Sequence, residues 1–74
     1  MQLTLVHDQR VEKFCYWENG IRQGMQFENQ FYRHVASVRE EKRMEAYALT
    51  DALREAGSAV CLTVSPDGYS VWKN

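Results

Sequence analysis

The stretch SVREEKRMEAYALTDALREAG, Ser37–Gly57, decides the fold of this chain because its pattern is typical of an amphipathic helix. Ser37 and Glu40 have the spacing of a capping box at the helix start, and Gly57 supplies a left-handed stop. At about 100° per residue, the apolar side chains share one stripe. This stripe contains Val38, Ala46, Leu49, Ala52, Leu53 and Ala56. The rest of the chain must therefore supply a surface that covers the stripe.

Two large side chains of this segment fall outside the apolar stripe. Met44 and Tyr47 lie on its flank or polar side, beside the charged run of residues 39–43. In one interpretation, Tyr47 lies across the helix surface while Met44 fills an edge of the core. In the alternative, the two residues form a small face that binds a partner.

The dipeptide Asn19-Gly20 gives the strongest turn signal, because a two-residue type I′ hairpin needs positive φ at both positions. This turn predicts that Glu18 pairs with Ile21 and, further along the strands, that Phe14 pairs with Met25. One face would then contact the helix and carry Phe14, Tyr16, Ile21, Met25 and Phe27. The outer face would carry Lys13, Cys15, Trp17, Arg22 and Gln26.

The remaining segments are typical of short strands, at residues 2–6, 11–18, 30–36, 58–64 and 69–73. Glu28-Asn29 is a second turn candidate, although a helix starting at about Asn29 is an alternative to the strand at 30–36. Pro66 and Gly68 predict a hairpin with a bulge. The order is ββββαββ, which predicts an α+β fold with a small antiparallel sheet and one amphipathic helix packed on one face.

Length and composition predict a single folded domain covering residues 1–74. So short a chain buries a small core, and homodimerisation would compensate for that. A net charge of −1 provides no overall field for nucleic acid or an anionic membrane. We find no signal-peptide or membrane-spanning pattern, so we expect a cytoplasmic protein without a membrane partner. Cys15 and Cys61 are isolated, which favours reduced thiols.

Candidate catalytic residues are few. Cys15 and His34 lie on neighbouring predicted strands, but their opposite parity argues against a thiol–imidazole pair. The two histidines and two cysteines lie on separate strands without metal-ligand spacing, and the glycines form no phosphate loop. We therefore expect no enzyme activity, no cofactor and no metal site.

The outer sheet face suggests a nucleic-acid interface. Lys13, Trp17 and Arg22, joined by Phe31 and Arg33, would combine aromatic rings with cations, as modules that bind single-stranded nucleic acid do. The simpler interpretation is a cation–π contact between Trp17 and Arg22 that only orders the hairpin.

Exposed aromatic residues favour a protein interface more strongly. A sheet covered on one face would expose Trp17, Phe31 and Trp72, and the strands at 2–6 or 69–73 would be edges that could extend a partner's sheet. The alternative is that Trp17 and Trp72 cover the core from its edges. We therefore expect a small non-catalytic protein-binding module, a regulator, adaptor or inhibitor that self-associates, with weak single-stranded nucleic-acid binding as the alternative. The predicted binding residues are Lys13, Trp17, Arg22, Phe31, Arg33, Tyr47 and Trp72.

Overall fold

A computed structural model describes residues 4–74 and contains, in that range, six strands and one helix longer than a single turn. The strands are β1 (Thr4–His7), β2 (Glu12–Trp17), β3 (Ile21–Phe27), β4 (Gln30–Arg39), β5 (Val60–Ser65) and β6 (Gly68–Lys73). The helix, α1 (Arg43–Glu55), lies between β4 and β5 in the chain, and single 3₁₀ turns occupy Asp8–Arg10 and Glu40–Lys42. The predicted order ββββαββ and the α+β class are confirmed. Residues 2 and 3 of the predicted first strand lie outside the described residues.

The six strands form one sheet in the order β1-β5-β6-β4-β3-β2. All neighbours are antiparallel except β1 and β5, which are parallel, so the prediction of a wholly antiparallel sheet is corrected at this edge. The expectation that residues 69–73 form an edge strand is wrong. β4 pairs with β6 from Arg33 to Arg39, and β5 pairs with the other side of β6, which places β6 inside the sheet. The edges of the described sheet are β1 and β2.

The sheet is strongly curled, as the short connection between its two edge strands shows. Residues 8–11 join β1 to β2, and this connection spans at most about 18 Å when fully extended. In a flat sheet, two edge strands separated by five gaps would lie about 24 Å apart. The curl brings Val6 of β1 into one buried cluster with Met25 of β3.

Each face of the sheet carries a core. On the face that we call the helix face, α1 packs against β4, β5 and β6, and its fully buried residues are Ala46, Leu62 and Val71. On the face that we call the inner face, the buried residues are Val6, Met25, Cys61 and Trp72. Val11, which leads into β2, packs against this second cluster. The connection at 8–11 therefore helps to cover the inner face.

The start of α1 differs from the prediction. Ser37 belongs to β4, and its hydroxyl is hydrogen-bonded to His34 Nε2 and to Ser70 Oγ, each at 2.8 Å, so the predicted capping box with Glu40 is wrong. Strand pairing between β4 and β6 continues to Arg39 and takes precedence over the local capping signal. The predicted stop is confirmed, since Gly57 has φ 94° and its N–H donates to the Arg54 carbonyl at 2.9 Å.

The apolar stripe of α1 is narrower than predicted. Ala46 is fully buried and both leucines pack on the core, but Ala52 and Ala56 are exposed. Thr50 is buried in their place because its hydroxyl donates to the Ala46 carbonyl at 2.8 Å. Of the two residues outside the stripe, Tyr47 packs against the core of the helix face, although it was expected to lie across the helix surface. Met44 is 71% exposed and does not fill an edge of the core.

The β2–β3 hairpin is shifted by one residue from the predicted register. Asn19 and Gly20 both have positive φ, as expected, but they lie in a three-residue loop that begins at Glu18, so Trp17 pairs with Ile21. Phe14 consequently pairs with Gly24, where a Cβ atom would lie 2.6 Å from the Phe14 ring. The observed register thus seats the phenylalanine on a residue without a side chain.

The other two hairpins follow their local signals. Glu28 and Asn29 both have positive φ in a two-residue turn, and residues 30–36 are strand, not the start of the helix. Ser65 pairs with Gly68 around Pro66 and Asp67, which confirms the last hairpin. The predicted bulge is not present in this hairpin, since its pairing from residue 60 to residue 73 is continuous.

Candidate functional site

The shifted register changes which side chains share a face of β2 and β3. Phe14 and Tyr16 pair with Gly24 and Arg22, and the pairing of Gly24 with Arg33 and of Arg33 with Lys73 places all of them on the helix face. Alternate residues then lie on the inner face, and they are Lys13, Cys15, Trp17, Ile21, Gln23, Met25 and Phe27. The predicted helix-contacting face was therefore wrong for Ile21, Met25 and Phe27, and the predicted platform of Lys13, Trp17 and Arg22 does not exist.

Three aromatic rings form a cluster on the helix face, beyond the area that α1 covers. We call Phe14, Tyr16 and Phe31 the aromatic patch. The Phe14 ring centroid lies 6.2 Å from that of Tyr16 and 5.9 Å from that of Phe31, which it meets edge to face. Phe31 is 63% exposed and Phe14 is 38% exposed. These rings support one another, yet much of their surface faces solvent.

Polar groups border the aromatic patch. Arg33 and Asn74 help to line a cavity of about 360 Å³ above Phe14, Tyr16 and Phe31. The Asn74 side-chain amide donates to the Phe31 carbonyl at 2.7 Å, and Arg33 lies 3.9 Å from a Glu18 carboxylate oxygen. Both charged groups of this ion pair are mostly exposed, so the contact is weak and leaves the guanidinium accessible.

A second apolar patch lies on the inner face at the tip of the same hairpin. Trp17 and Ile21 are directly opposite each other, and we call them the tip patch. They are 77% and 76% exposed, the largest exposures among the exposed large apolar residues that the structure describes. The predicted register assigned Ile21 and Phe14 to the helix contact, so their exposure was not expected. Gly24 was the available signal, since a glycine suits the position opposite a large ring.

The outer edge of β2 joins the two patches. β2 pairs with β3 over its whole length, and no strand within residues 4–74 pairs with its other side. Five of its six residues are exposed. An exposed edge with open backbone groups is a template for another strand.

The predicted binding residues are thus divided among several places. Arg22, Phe31 and Arg33 share the helix face, whereas Trp17 lies on the inner face. Arg22 Nε donates to the Glu18 carbonyl at 3.0 Å, and Arg22 lies on the opposite face from Trp17, so the alternative interpretation, a cation–π contact between the two, is wrong.

The other three predicted binding residues contact parts of this chain. Lys13, on the inner face, forms an ion pair with Asp8. Tyr47 packs on Tyr69 with ring centroids 6.3 Å apart. Trp72 is only 2% exposed, and its indole N–H donates to Thr63 Oγ1 at 2.9 Å. The expectation that Trp72 is exposed is therefore wrong, because β6 is an interior strand.

The pair Cys15 and His34 lies on one face after all, contrary to the parity argument, but His34 is bonded elsewhere. A β-bulge between His34 and Ala36 turns the imidazole toward Ser37, and the ring also meets Trp72 edge to face at 5.2 Å. Cys15 is an exposed free thiol. Cys61 is a buried free thiol, and burial raises its pKa to about 11.

The buried side of His34 predicts a pH dependence of stability. Burial, assisted by the Lys13 charge, lowers the pKa of His34 below its ordinary value of 6.5. Between the folded-state pKa and 6.5, the unfolded chain binds more protons at His34 than the folded chain does. The contribution of His34 to the free energy of unfolding is therefore fully present above pH 6.5 and is lost as the pH falls to the folded-state pKa. Urea titrations across this window are expected to show the fall in the wild type and a flatter profile in His34→Gln. Equal slopes in the two chains would contradict the assignment.

In residues 4–74 no three histidine, cysteine, aspartate or glutamate side chains lie close enough to hold a metal ion. No helix of that part of the chain combines the length and the apolar character that crossing a membrane requires.

Comparisons of the chain with family models, with curated proteins and with solved structures found no match. The site is therefore the only basis for a functional proposal.

Proposed function

We propose that this chain is a small non-catalytic protein-binding module, a regulator, adaptor or inhibitor, that binds its partner by accepting a strand at the edge of β2. One observation supports this proposal above the others. Apolar side chains reach solvent on both faces of the same unpaired edge strand, with the exposed Phe14 beside the half-buried Tyr16 on one face and the exposed Trp17 on the other.

A strand is the ligand shape that uses such an edge completely. Its backbone hydrogen-bonds to the open N–H and C=O groups of β2, and its side chains point alternately to the two faces. Alternate side chains would therefore meet the aromatic patch and the tip patch. Tryptophan and tyrosine are also the residues that commonly supply most of the binding energy at interfaces. A flat surface partner would reach one patch and leave the other in water.

Single-stranded nucleic acid is the second candidate, because Arg22 and Arg33 lie on the same face as the aromatic patch. Rings can stack on bases while guanidinium groups contact phosphates. This candidate explains less of the surface, since it leaves Trp17 and Ile21 unused and Glu12 shares the face.

We also propose a cytoplasmic location for the protein. Cys15 and Cys61 are both free thiols, and Cys15 is exposed, a combination that suits a reducing compartment.

Capture of partners by the tagged chain tests the proposal, provided that it is done with variants. The partner is expected to remain bound to the wild-type chain at high salt and after nuclease treatment. It should not be retained by Cys15→Lys, which places a charge in the middle of β2, or by Trp17→Ala/Ile21→Ala. Ala48→Lys is the matched control, since Ala48 is an exposed helix residue outside the site. Retention that is equal in all four chains would refute strand addition at β2. Loss with Met44→Ala instead would assign binding to the helix surface.

The nucleic-acid candidate makes a different prediction. If the retained molecule is nucleic acid, its binding should weaken steeply with salt, and Arg22→Ala/Arg33→Ala should reduce the slope of log K against log salt by about 1 to 2. A binding titration with a fluorescent oligonucleotide at several salt concentrations measures this slope. An unchanged slope would show that neither arginine contacts a phosphate.

A further inference from the structure

The edge of β2 lacks most of the features that usually prevent two edge strands from pairing. Monomeric proteins protect such edges with proline, a bulge, a short strand or an inward-pointing charge. β2 has six residues, no proline and no register shift against β3. Its one lysine, Lys13, already forms an ion pair with Asp8 of the same chain. The other edge strand, β1, is only four residues long.

Two-fold symmetry limits the ways in which two copies of β2 can pair. If the symmetry axis is perpendicular to the sheet, helix faces adjoin helix faces, so each residue must lie opposite a residue of the same face. Antiparallel pairing then centres on one residue that meets its own copy. The two middle residues of the strand are Phe14 and Cys15. Centring the pair on either of them brings the largest number of β2 residues opposite β2 residues of the second copy.

The two centres differ in the side chains they bring together. A pair centred on Phe14 sets Lys13 against Cys15 and leaves Trp17 opposite residue 11, outside the strand. A pair centred on Cys15 sets Phe14 against Tyr16 on the helix face and Lys13 against Trp17 on the inner face, each of them twice. Aromatic pairs and cation–aromatic pairs are favourable cross-strand neighbours. This register also lies farther from the connection at 8–11, which Asp8 ties to Lys13.

We infer that the strand accepted by β2 is β2 of a second copy of this chain, paired antiparallel about a two-fold axis at Cys15. This inference rests on the strand addition proposed above. The two sheets then join into one continuous twelve-stranded sheet, and each exposed aromatic side chain of β2 gains a neighbour from the other copy. The surface buried by so short a strand pair is at the low end of specific interfaces, so we expect a reversible, concentration-dependent dimer.

Sedimentation of the full chain over a concentration series tests the second copy. The wild type is expected to pass from monomer to dimer as its concentration rises. Cys15→Lys is expected to raise the dissociation constant by at least about tenfold, because it sets like charges directly opposite each other. Ala48→Lys should behave as wild type. A chain that remains monomeric throughout, or equal dissociation constants in the two variants, would overturn the inference.

Disulfide trapping tests the register. Residues directly opposite in an antiparallel pair have Cα atoms about 4.5–5.5 Å apart, within the range of a disulfide. Diamide, which accepts two electrons and two protons as two thiols form one S–S bond, is therefore expected to link Cys15 to its copy, while buried Cys61 stays reduced. Phe14→Cys/Cys15→Ser is the register control and should be trapped far less. Efficient trapping of that control with little trapping at Cys15 would overturn the Cys15-centred register.

The outcomes separate this inference from the proposed function. If the chain stays monomeric but Cys15→Lys abolishes capture of another protein, strand addition stands and the second copy is refuted as its occupant. If a Cys15-centred dimer forms but capture of other proteins is indifferent to the variants, self-association stands and binding of a separate partner at this edge is refuted.

Discussion

Trp72→Ala is expected to cost about 3–5 kcal/mol of folding free energy, the range for deleting a large buried aromatic side chain. Trp72 is only 2% exposed, lies in one cluster with Met25 and Cys61, and donates its indole N–H to Thr63 Oγ1. Alanine would leave a cavity in the inner-face core and a buried hydroxyl without its partner. A chain of this size has roughly 4–11 kcal/mol of stability in total, so this variant should be close to unfolding.

Circular dichroism during urea titration measures this effect, and the chain offers its own matched control. Trp17→Ala removes the same side chain from a position that is 77% exposed, and it should change the free energy of unfolding by less than about 0.5 kcal/mol. Similar midpoints for the two variants would contradict the placement of Trp72 in the core.

Gly68→Ala is expected to have the second-largest effect, about 2–5 kcal/mol, because it combines backbone strain with a steric clash. Gly68 has φ 147°, a conformation that residues with a side chain rarely adopt. A Cβ atom there would lie 2.1 Å from the carbonyl oxygen of Val38, in the neighbouring strand β4. Since this oxygen belongs to the backbone, β4 and β6 would have to separate locally. The pairing of these strands holds the helix-bearing half of the sheet together.

Gly20→Ala separates the two causes. Gly20 also has positive φ, 131°, but a Cβ atom there would meet no other atom within 4 Å. Its substitution should cost only the strain, about 1–3 kcal/mol. Thermal unfolding of the two variants measures the difference, and a Gly20→Ala chain at least as unstable as Gly68→Ala would contradict the close packing of β6 on β4.

The sequence was sufficient to predict the order of elements because local signals mark nearly all of them. The turn at Glu28-Asn29 and the stop at Gly57 were predicted from local sequence and are confirmed. The start of the helix was not, because Ser37 has a capping pattern in sequence but lies in a strand whose partner, β6, is more than 30 residues away. The pairing of β4 with β6 joins residues far apart in the chain, and it took precedence over the local preference of Ser37 for a helix cap.

The site was harder to predict than the fold, because one error in register exchanges the two faces of a strand. Asn19-Gly20 fits both a two-residue and a three-residue loop, and the choice moved Ile21 and Met25 to the opposite face from the one predicted. Burial of Trp72 depends in the same way on a non-local fact, the insertion of β6 between β4 and β5. Alternation within a strand shows which side chains share a face but not which face is covered.

Amide hydrogen exchange of residues 12–17 tests most directly the claim that the β2 edge accepts a strand. The exchange rates are compared in dilute chain, in concentrated chain and in complex with a captured protein. Strand addition predicts slower exchange of the outward-pointing amides of β2 in at least one of the associated states, with the helix surface around Ala48 unchanged. Association of the chain that leaves the exchange of β2 at its dilute rate would contradict the account.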